Sequence, residues 1–390
     1  MKKRILFVYY EMMLGGSTTS LLSLLHSIDH SRYDIDLLLY RNRGPFLRFL
    51  PEQVTLLPQA LMNMSDLEKL KVAVLNGSLV KTYMDGIRYY HRITKSEQSA
   101  AYMQASFCRK VETEYDIAIG FMELWSDVFV NKYINAKKKI SWIHVDYEKA
   151  HYIPELDKNT YNESQYIVNV SDECLKNFNI SFPFLSHKTI CIENILTKHF
   201  VSRRLDDSLD QIPDLQLDSS CLNLLSVCRI AIEHKGLDRG LEAISYLVRS
   251  GRKIKWYIVG DGQDKKRFLQ LIREKEAESY IILLGQMECP FGIYNKFDGF
   301  FLPSRFEGKP MAITEAQMLC LPPVVTEYAS AREQIIHGET GLIASNDTES
   351  LTQLLDALSM NKSTLQDIRN ELHSKNFDNI DCIQKFYGII

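Results

Sequence analysis

The densest set of groups able to do chemistry lies in one window, Leu302-Pro303-Ser304-Arg305-Phe306-Glu307-Gly308-Lys309-Pro310-Met311-Ala312-Ile313-Thr314-Glu315-Ala316. An apolar strand stops at Pro303, a loop carries Glu307 and Gly308, and Pro310 suits the first helical residue, where its missing N–H costs nothing. Glu315 then falls inside the helix. One carboxylate in a loop at a sheet's carboxyl edge and a second one to two turns into the following helix can grip the hydroxyls of a polyol, because each accepts several hydrogen bonds. The helix N-terminus between them favours phosphate charge.

Three other segments offer polar chemistry. Leu224 to Leu237 reads as strand, short loop and helix, with the cations Arg229 and Lys235 six residues apart. Cations just past a strand's carboxyl end sit where doubly wound folds bind ligands, so the two can clamp a diphosphate or stand as solvated loop charges. Near the N-terminus, Leu14-Gly15-Gly16-Ser17-Thr18-Thr19 opens an apolar helix and offers free N–H groups to an anion. Its spacing is neither G-x-G-x-x-G nor a Walker sequence. His144, in Trp142-Ile143-His144-Val145-Asp146, follows a strand and reads as either a structural or a catalytic histidine. The Gly260-Asp261-Gly262 and Gly285-Gln286 segments each follow a strand, with Gly260 and Gly262 read as turn formers.

These residues need a scaffold, and apolar runs supply it. Predicted strands at 5–10, 35–40, 54–57, 117–122, 139–143 and 167–170 alternate with helical periodicity; a second series at 223–228, 255–259, 280–283, 299–302, 324–326 and 341–343 does the same. Such alternation predicts parallel, doubly wound sheets in two α/β lobes. The predicted boundaries are residues 1–200, an acidic linker at 201–220, a second lobe at 221–370, and a C-terminal helix within 371–390 that packs back on the first lobe through its apolar periodicity.

Composition narrows the classes. The 390 residues carry 46 Lys plus Arg against 49 Asp plus Glu, a net charge of -3 that gives no reason to expect nucleic acid as partner. The eight cysteines form no C-x-x-C pair, which speaks against zinc or a disulfide framework and fits a reducing cytoplasm. The apolar run after Met1-Lys2-Lys3-Arg4 is too short for a signal peptide, and no stretch approaches the ~20 residues that cross a bilayer. Asp34-Ile35-Asp36 resembles a metal-binding D-x-D, yet strand alternation explains it without a metal. Residues 69–110 carry eight Lys or Arg against Asp85 and Glu97; within them 79–95 reads as an amphipathic helix that either packs on its lobe or rests on anionic lipid.

Taken in order, these motifs resemble the family 4 retaining glycosyltransferases, nucleotide-sugar-dependent enzymes of the GT-B fold, whose two doubly wound Rossmann-like lobes face a central cleft. The resemblance covers nearly the whole chain. It rests on Glu307 and Glu315 at the E-x7-E spacing, Arg229 and Lys235 before them, Gly260-Asp261-Gly262 and Gly285-Gln286 between, and Glu333 to Gly341 after. Gly15-Gly16, Trp142 to Asp146, Val170-Ser171 and Asn194 extend it through the first half.

The resemblance implies that Arg229 and Lys235 neutralise a donor pyrophosphate, that Glu315 holds ribose hydroxyls, and that Glu307 lies against the transferred sugar. Backbone at Lys309, Pro310 and Met311 would meet the phosphates, Gly285 and Gln286 the base, Gly16 the diphosphate, and His144 the reaction centre. Two departures stand out: Cys320 occupies a position where the family usually has Gly, and Pro310 removes one N–H. The expected activity is metal-independent transfer of a hexose from a nucleotide diphosphate sugar, UDP favoured, to a saccharide or lipid-linked saccharide acceptor, with no cofactor. Capsule, exopolysaccharide or lipopolysaccharide assembly at the cytoplasmic side of the plasma membrane, with peripheral membrane contact, is the expected setting. The alternatives are a catalytically silent GT-B scaffold or nucleotide-binding partner of a polysaccharide assembly complex, and a dinucleotide oxidoreductase, the latter lacking its G-x-G-x-x-G signature.

Overall fold

A computed structural model describes residues 2–62, 68, 71, 95–208 and 215–390. The chain divides into two compact units, residues 1–195 with 381–390, and residues 196–380. Among the described residues each unit is built on one all-parallel sheet.

The first sheet has seven strands: β1 (Lys3–Tyr9), β2 (Tyr33–Leu39), β3 (Val54–Leu56), β4 (Tyr115–Gly120), β5 (Ala136–Ile143), β6 (Tyr166–Asn169) and β7 (Thr189–Cys191), in the order β3-β2-β1-β4-β5-β6-β7. Strand β1 lies inside the sheet between β2 and β4, with Ile5 opposite both Ile35 and Ile117. Its unbroken apolar run is what a strand covered on both faces requires, and Ile5 through Val8 are fully buried. Strand β7, whose three residues are all only half-buried, has no counterpart among the predicted strands. The Cys382–Ile389 helix belongs to this unit: Phe386 lies 6.3 Å from Phe7 and 6.2 Å from Trp142, ring centre to ring centre, while the Tyr387 hydroxyl accepts from Asp29 N at 2.9 Å. Asp36 is buried in the sheet, paired with Arg4 at 2.8 Å and bonded by the Tyr115 hydroxyl at 2.9 Å, so the D-x-D is a structural element of β2.

The second sheet has six strands: β8 (Leu222–Val227), β9 (Ile254–Val259), β10 (Ile281–Gly285), β11 (Gly299–Leu302), β12 (Pro323–Thr326) and β13 (Leu342–Ala344), in the order β10-β9-β8-β11-β12-β13. The chain leaves β8 in one direction and returns at β11 on the other side, with Leu224 opposite Gly299. This reversal is the switch point at which open parallel sheets bind ligands.

Two local readings change. Residues 201–208, placed in a linker, form most of the Lys198–Ser208 helix of the second unit, with Phe200, Val201 and Arg204 buried. Pro310 is the N-cap, with extended backbone, and Met311 is the first helical residue, one position later than expected. The basic stretch 79–94 lies outside the described residues. Among those described, no helix is long and apolar enough to cross a membrane.

Candidate functional site

In the second unit the switch point gathers the residues singled out from the sequence. Arg229 and Lys235 follow β8; Glu307 and Glu315 follow β11, the neighbouring strand. Lys235 Nζ lies 2.6 Å from Glu307 Oε1, and Ser304 Oγ donates to the same oxygen at 2.6 Å. His234 Nε2 lies 3.7 Å from the other oxygen, Oε2, with its ring stacked on Phe306 at 4.3 Å. Burial works against ionisation of Glu307, but Lys235 and His234 outweigh it and hold the carboxyl down at about 2. Oε2 therefore keeps acceptor capacity for a ligand hydroxyl. Arg229 is exposed, its Nη2 3.5 Å from His234 Nδ1.

Glu315 is equally buried but has a different environment. Burial pushes its carboxyl up to about 7, and the Arg204 charge offsets only part of that. The sign for stability follows: the unfolded chain loses this proton near 4.5 and the folded unit near 7, so this group's contribution falls as pH rises across that window. Lys309 turns away from the helix mouth toward Glu333, at 3.9 Å, while Met311 is buried at the first helical position. The Met311–Met318 helix has neither an acidic residue in its first turn nor a side-chain cap, so although Ile313 N donates to Pro310 O at 3.2 Å, its positive dipole end favours an anion.

The residues that position this constellation were not legible as such. Arg239 is buried and donates to Pro303 O at 2.8 Å, Ser304 O at 2.6 Å, Thr326 Oγ1 at 2.9 Å and Asn346 Oδ1 at 2.5 Å. It ties the Glu307 loop to the sheet edge. Gly236, at φ +60°, passes so close to this loop that a Cβ would stand 1.9 Å from Pro303 O. Only a chain without a side chain there lets the Lys235 turn meet the Glu307 loop.

Gly260 also proves to be more than a turn former. At φ +149° its added Cβ would stand 1.9 Å from Cys228 O, and its N–H donates to Gly285 O at 2.8 Å. Asp264 accepts from Ile232 N at 2.9 Å and Ile230 N donates to Asp261 O at 2.9 Å, so the Gly-Asp-Gly loop braces the Arg229 loop from behind. Gly260→Ala is expected to destabilise the second unit by about 3 kcal/mol, read from the denaturant midpoint, with Gly15→Ala as a control nearly unchanged. Beside Gly285 the space where a Cβ would project is open, and Gln286 is exposed. Cys320 takes φ +55°, the conformation a glycine would supply at that position.

The remaining two candidates lie in the first unit. Gly16 opens the Gly16–Ser27 helix, whose first turn has no capping side chain; Tyr9 OH bonds Ser17 Oγ at 2.7 Å and Thr18 Oγ1 at 3.0 Å, fixing that turn on β1. His144 follows β5, with its ring 4.9 Å from that of Phe121. Its Nε2 is buried with no partner among the described residues, and burial brings the imidazole down to about 3, so it is neutral near pH 7. Glu123, after β4, accepts from His144 N at 3.0 Å and is a neighbour that the sequence did not reveal.

With this geometry described, comparison with known proteins is informative. Solved structures share the architecture over nearly the full chain: Anabaena HepE in complex with UDP and glucose (TM-score 0.70, 14% identity, 99% of this chain and 98% of that one), and the lipopolysaccharide outer core galactosyltransferase WaaB (TM-score 0.60, 16% identity, the same coverage). The fold is GT-B. Residues 210–374, within the second half of the chain, match the family described as Glycosyl transferases group 1. Curated relatives include the amylovoran biosynthesis glycosyltransferase AmsK of Erwinia amylovora, 30% identical over 36% of this chain and 37% of that protein. A putative colanic acid biosynthesis glycosyltransferase, WcaL of Salmonella typhimurium, is 29% identical over 40% of each chain. These two alignments span 37% and 40% of the relatives' own length.

Proposed function

We propose that this chain is a retaining glycosyltransferase of the family 4 type, moving a hexose from a nucleotide diphosphate sugar, UDP-sugar favoured, to a saccharide or lipid-linked saccharide in bacterial surface polysaccharide synthesis. The observation that carries the reading is the ionised Glu307 carboxylate, held by Lys235 beside an uncapped helix N-terminus at the β8/β11 switch point. That arrangement places a cation and N–H donors for a diphosphate next to an acceptor for sugar hydroxyls. The names of the relatives, in amylovoran, capsule and colanic acid synthesis, support the setting. The bound UDP and glucose of HepE support the donor class.

In this reading Arg229, Lys235 and the backbone from Lys309 to Met311 meet the pyrophosphate, Glu315 accepts from the ribose hydroxyls, and Gly285 and Gln286 border the base. Glu307 Oε2 accepts from a hydroxyl of the transferred sugar. The bond between the anomeric carbon and the phosphate oxygen breaks, the acceptor oxygen bonds on the same face, and its proton passes to the leaving phosphate. No side chain is assigned as general base. The fixed positive charge takes the place of a cation on the leaving group, so we propose metal-independent turnover. In the first unit, Gly16 offers backbone N–H groups to an anion and His144 a neutral hydrogen-bonding nitrogen. We place the protein in the cytoplasm, with peripheral contact at the inner face of the plasma membrane.

Calorimetric titration with UDP, GDP and NAD in turn, in EDTA, tests this. UDP or GDP is expected to bind and NAD not to. NAD binding alone would favour an oxidoreductase, and silence toward all three in a folded protein would favour a non-catalytic scaffold.

A further inference from the structure

Most of the Lys198–Ser208 helix lies in the span that the sequence presents as linker, and all of it lies ahead of the region matched by the family. It packs on two elements of the same unit, Phe291–Lys296 and the Met311–Met318 helix that carries Glu315. Arg204 points inward from it, only 4% exposed. A guanidinium is costly to bury, so its surroundings matter. Nη2 donates to Glu288 O at 2.7 Å, and Cys289 Sγ donates back to Arg204 O at 2.9 Å. Both partners belong to the loop that continues from Gly285 and Gln286. The same guanidinium acts on the Glu315 carboxyl, favouring its charged form.

We infer that Arg204 is a positioning residue of the nucleotide site, anchoring the 286–289 loop on the base side and supplying the positive charge that faces Glu315 on the ribose side. The inference rests on the donor-site reading above. A carboxylate accepts from both hydroxyls of a ribose diol only when ionised, and a buried one needs a nearby cation to be so at neutral pH. The other groups around Glu315 do not supply it. Tyr294, from Phe291–Lys296, feels the Glu315 charge, but its buried hydroxyl has no partner among the described residues and resists ionisation, and β12 carries no ionisable side chain. Among the described residues Arg204 is thus the cation acting on Glu315, delivered by a helix outside the nucleotide-binding sheet.

The test is UDP-glucose affinity of the full chain from pH 5.5 to 8.5, because both phosphates of that diester stay ionised throughout, whereas the terminal phosphate of UDP itself titrates at about pH 6. Wild type is expected to bind more tightly as pH rises, with a midpoint near the Glu315 value of about 7, and Glu315→Gln is expected to flatten the profile. Arg204→Met should weaken binding about tenfold at pH 7 and move the midpoint up by about one unit. Arg204→Lys, which keeps the charge and loses the fork onto Glu288 O, should hold the midpoint and weaken binding equally at every pH. If Arg204→Met does not fold, the Lys and Gln variants carry the test. A parallel loss in Arg204→Met with an unmoved midpoint, or a profile that still titrates in Glu315→Gln, overturns the inference while leaving the donor site standing. If wild type binds neither UDP nor GDP, the donor-site reading falls first and Arg204 with it.

Discussion

Glu307→Ala is expected to lower kcat by about 10²–10³-fold while leaving UDP affinity unchanged or slightly tighter. The asymmetry follows from the pair it belongs to. Glu307 is buried and its Oε1 oxygen is occupied by Lys235 and Ser304, so Oε2, with only His234 at 3.7 Å, is the oxygen with acceptor capacity for a sugar hydroxyl. Removing the carboxylate takes away an interaction with the sugar as it leaves the phosphate, and frees Lys235 for the diphosphate. The variant is expected to fold, because the side chain of Lys235 is already 14% exposed and its flexible stem can carry the ammonium to water. Steady-state kinetics on each candidate donor, alongside nucleotide titration, separates the two effects. Unchanged turnover in a folded Glu307→Ala protein would remove this residue from the chemistry.

Lys235→Ala should act in the opposite way, with the larger cost in binding and stability. It strands a buried carboxylate, which costs about 3–5 kcal/mol where a paired charge loses its partner. It also removes one of the two cations assigned to the diphosphate, weakening UDP binding by about 10–100-fold. The pH dependence carries a signature. In the wild type, Glu307 is held near 2 against an unfolded value near 4.5, so its contribution is full above 4.5 and is lost as pH falls through about 2. Without Lys235, burial dominates and the carboxyl rises, so the stability gap between variant and wild type should narrow toward acid. The double variant Lys235→Met with Glu307→Gln should recover most of the stability and none of the binding. Denaturant unfolding at pH 4, 5.5 and 7.5 reads all three. A gap that does not change with pH would show that Glu307 ionisation is not what the lysine sustains.

Much of this protein was legible because its strands are covered on both faces. A run such as Ile5–Val8, buried in the middle of a parallel sheet, has to be continuously apolar, and the rhythm of such runs with intervening helices already specifies doubly wound lobes. The spacing of Glu307 and Glu315 was likewise a property of the chain, as were Arg229 and Lys235 behind a strand. Where burial is partial or purely local the sequence was weaker: the residues of β7 are all only half-buried, and Lys198–Ser208 hides its inward face behind an arginine and a run of acidic residues that resemble a linker.

Only the tertiary structure decided how these groups act. Strand order makes β8 and β11 neighbours although residues 228–298 lie between them in the chain, which is why Lys235 and Glu307 meet. Arg239 and Gly236 set the approach of the two loops through backbone carbonyls that no sequence pattern encodes. The opposite charge behaviour of two buried glutamates of one motif, Glu307 held down and Glu315 pushed up, arises because one faces Lys235 and His234 directly, while only the weaker influence of Arg204 reaches the other. Residue type and spacing determine which groups a chain brings to a sheet edge; the charge each carries there depends on desolvation and on neighbours that only folding supplies.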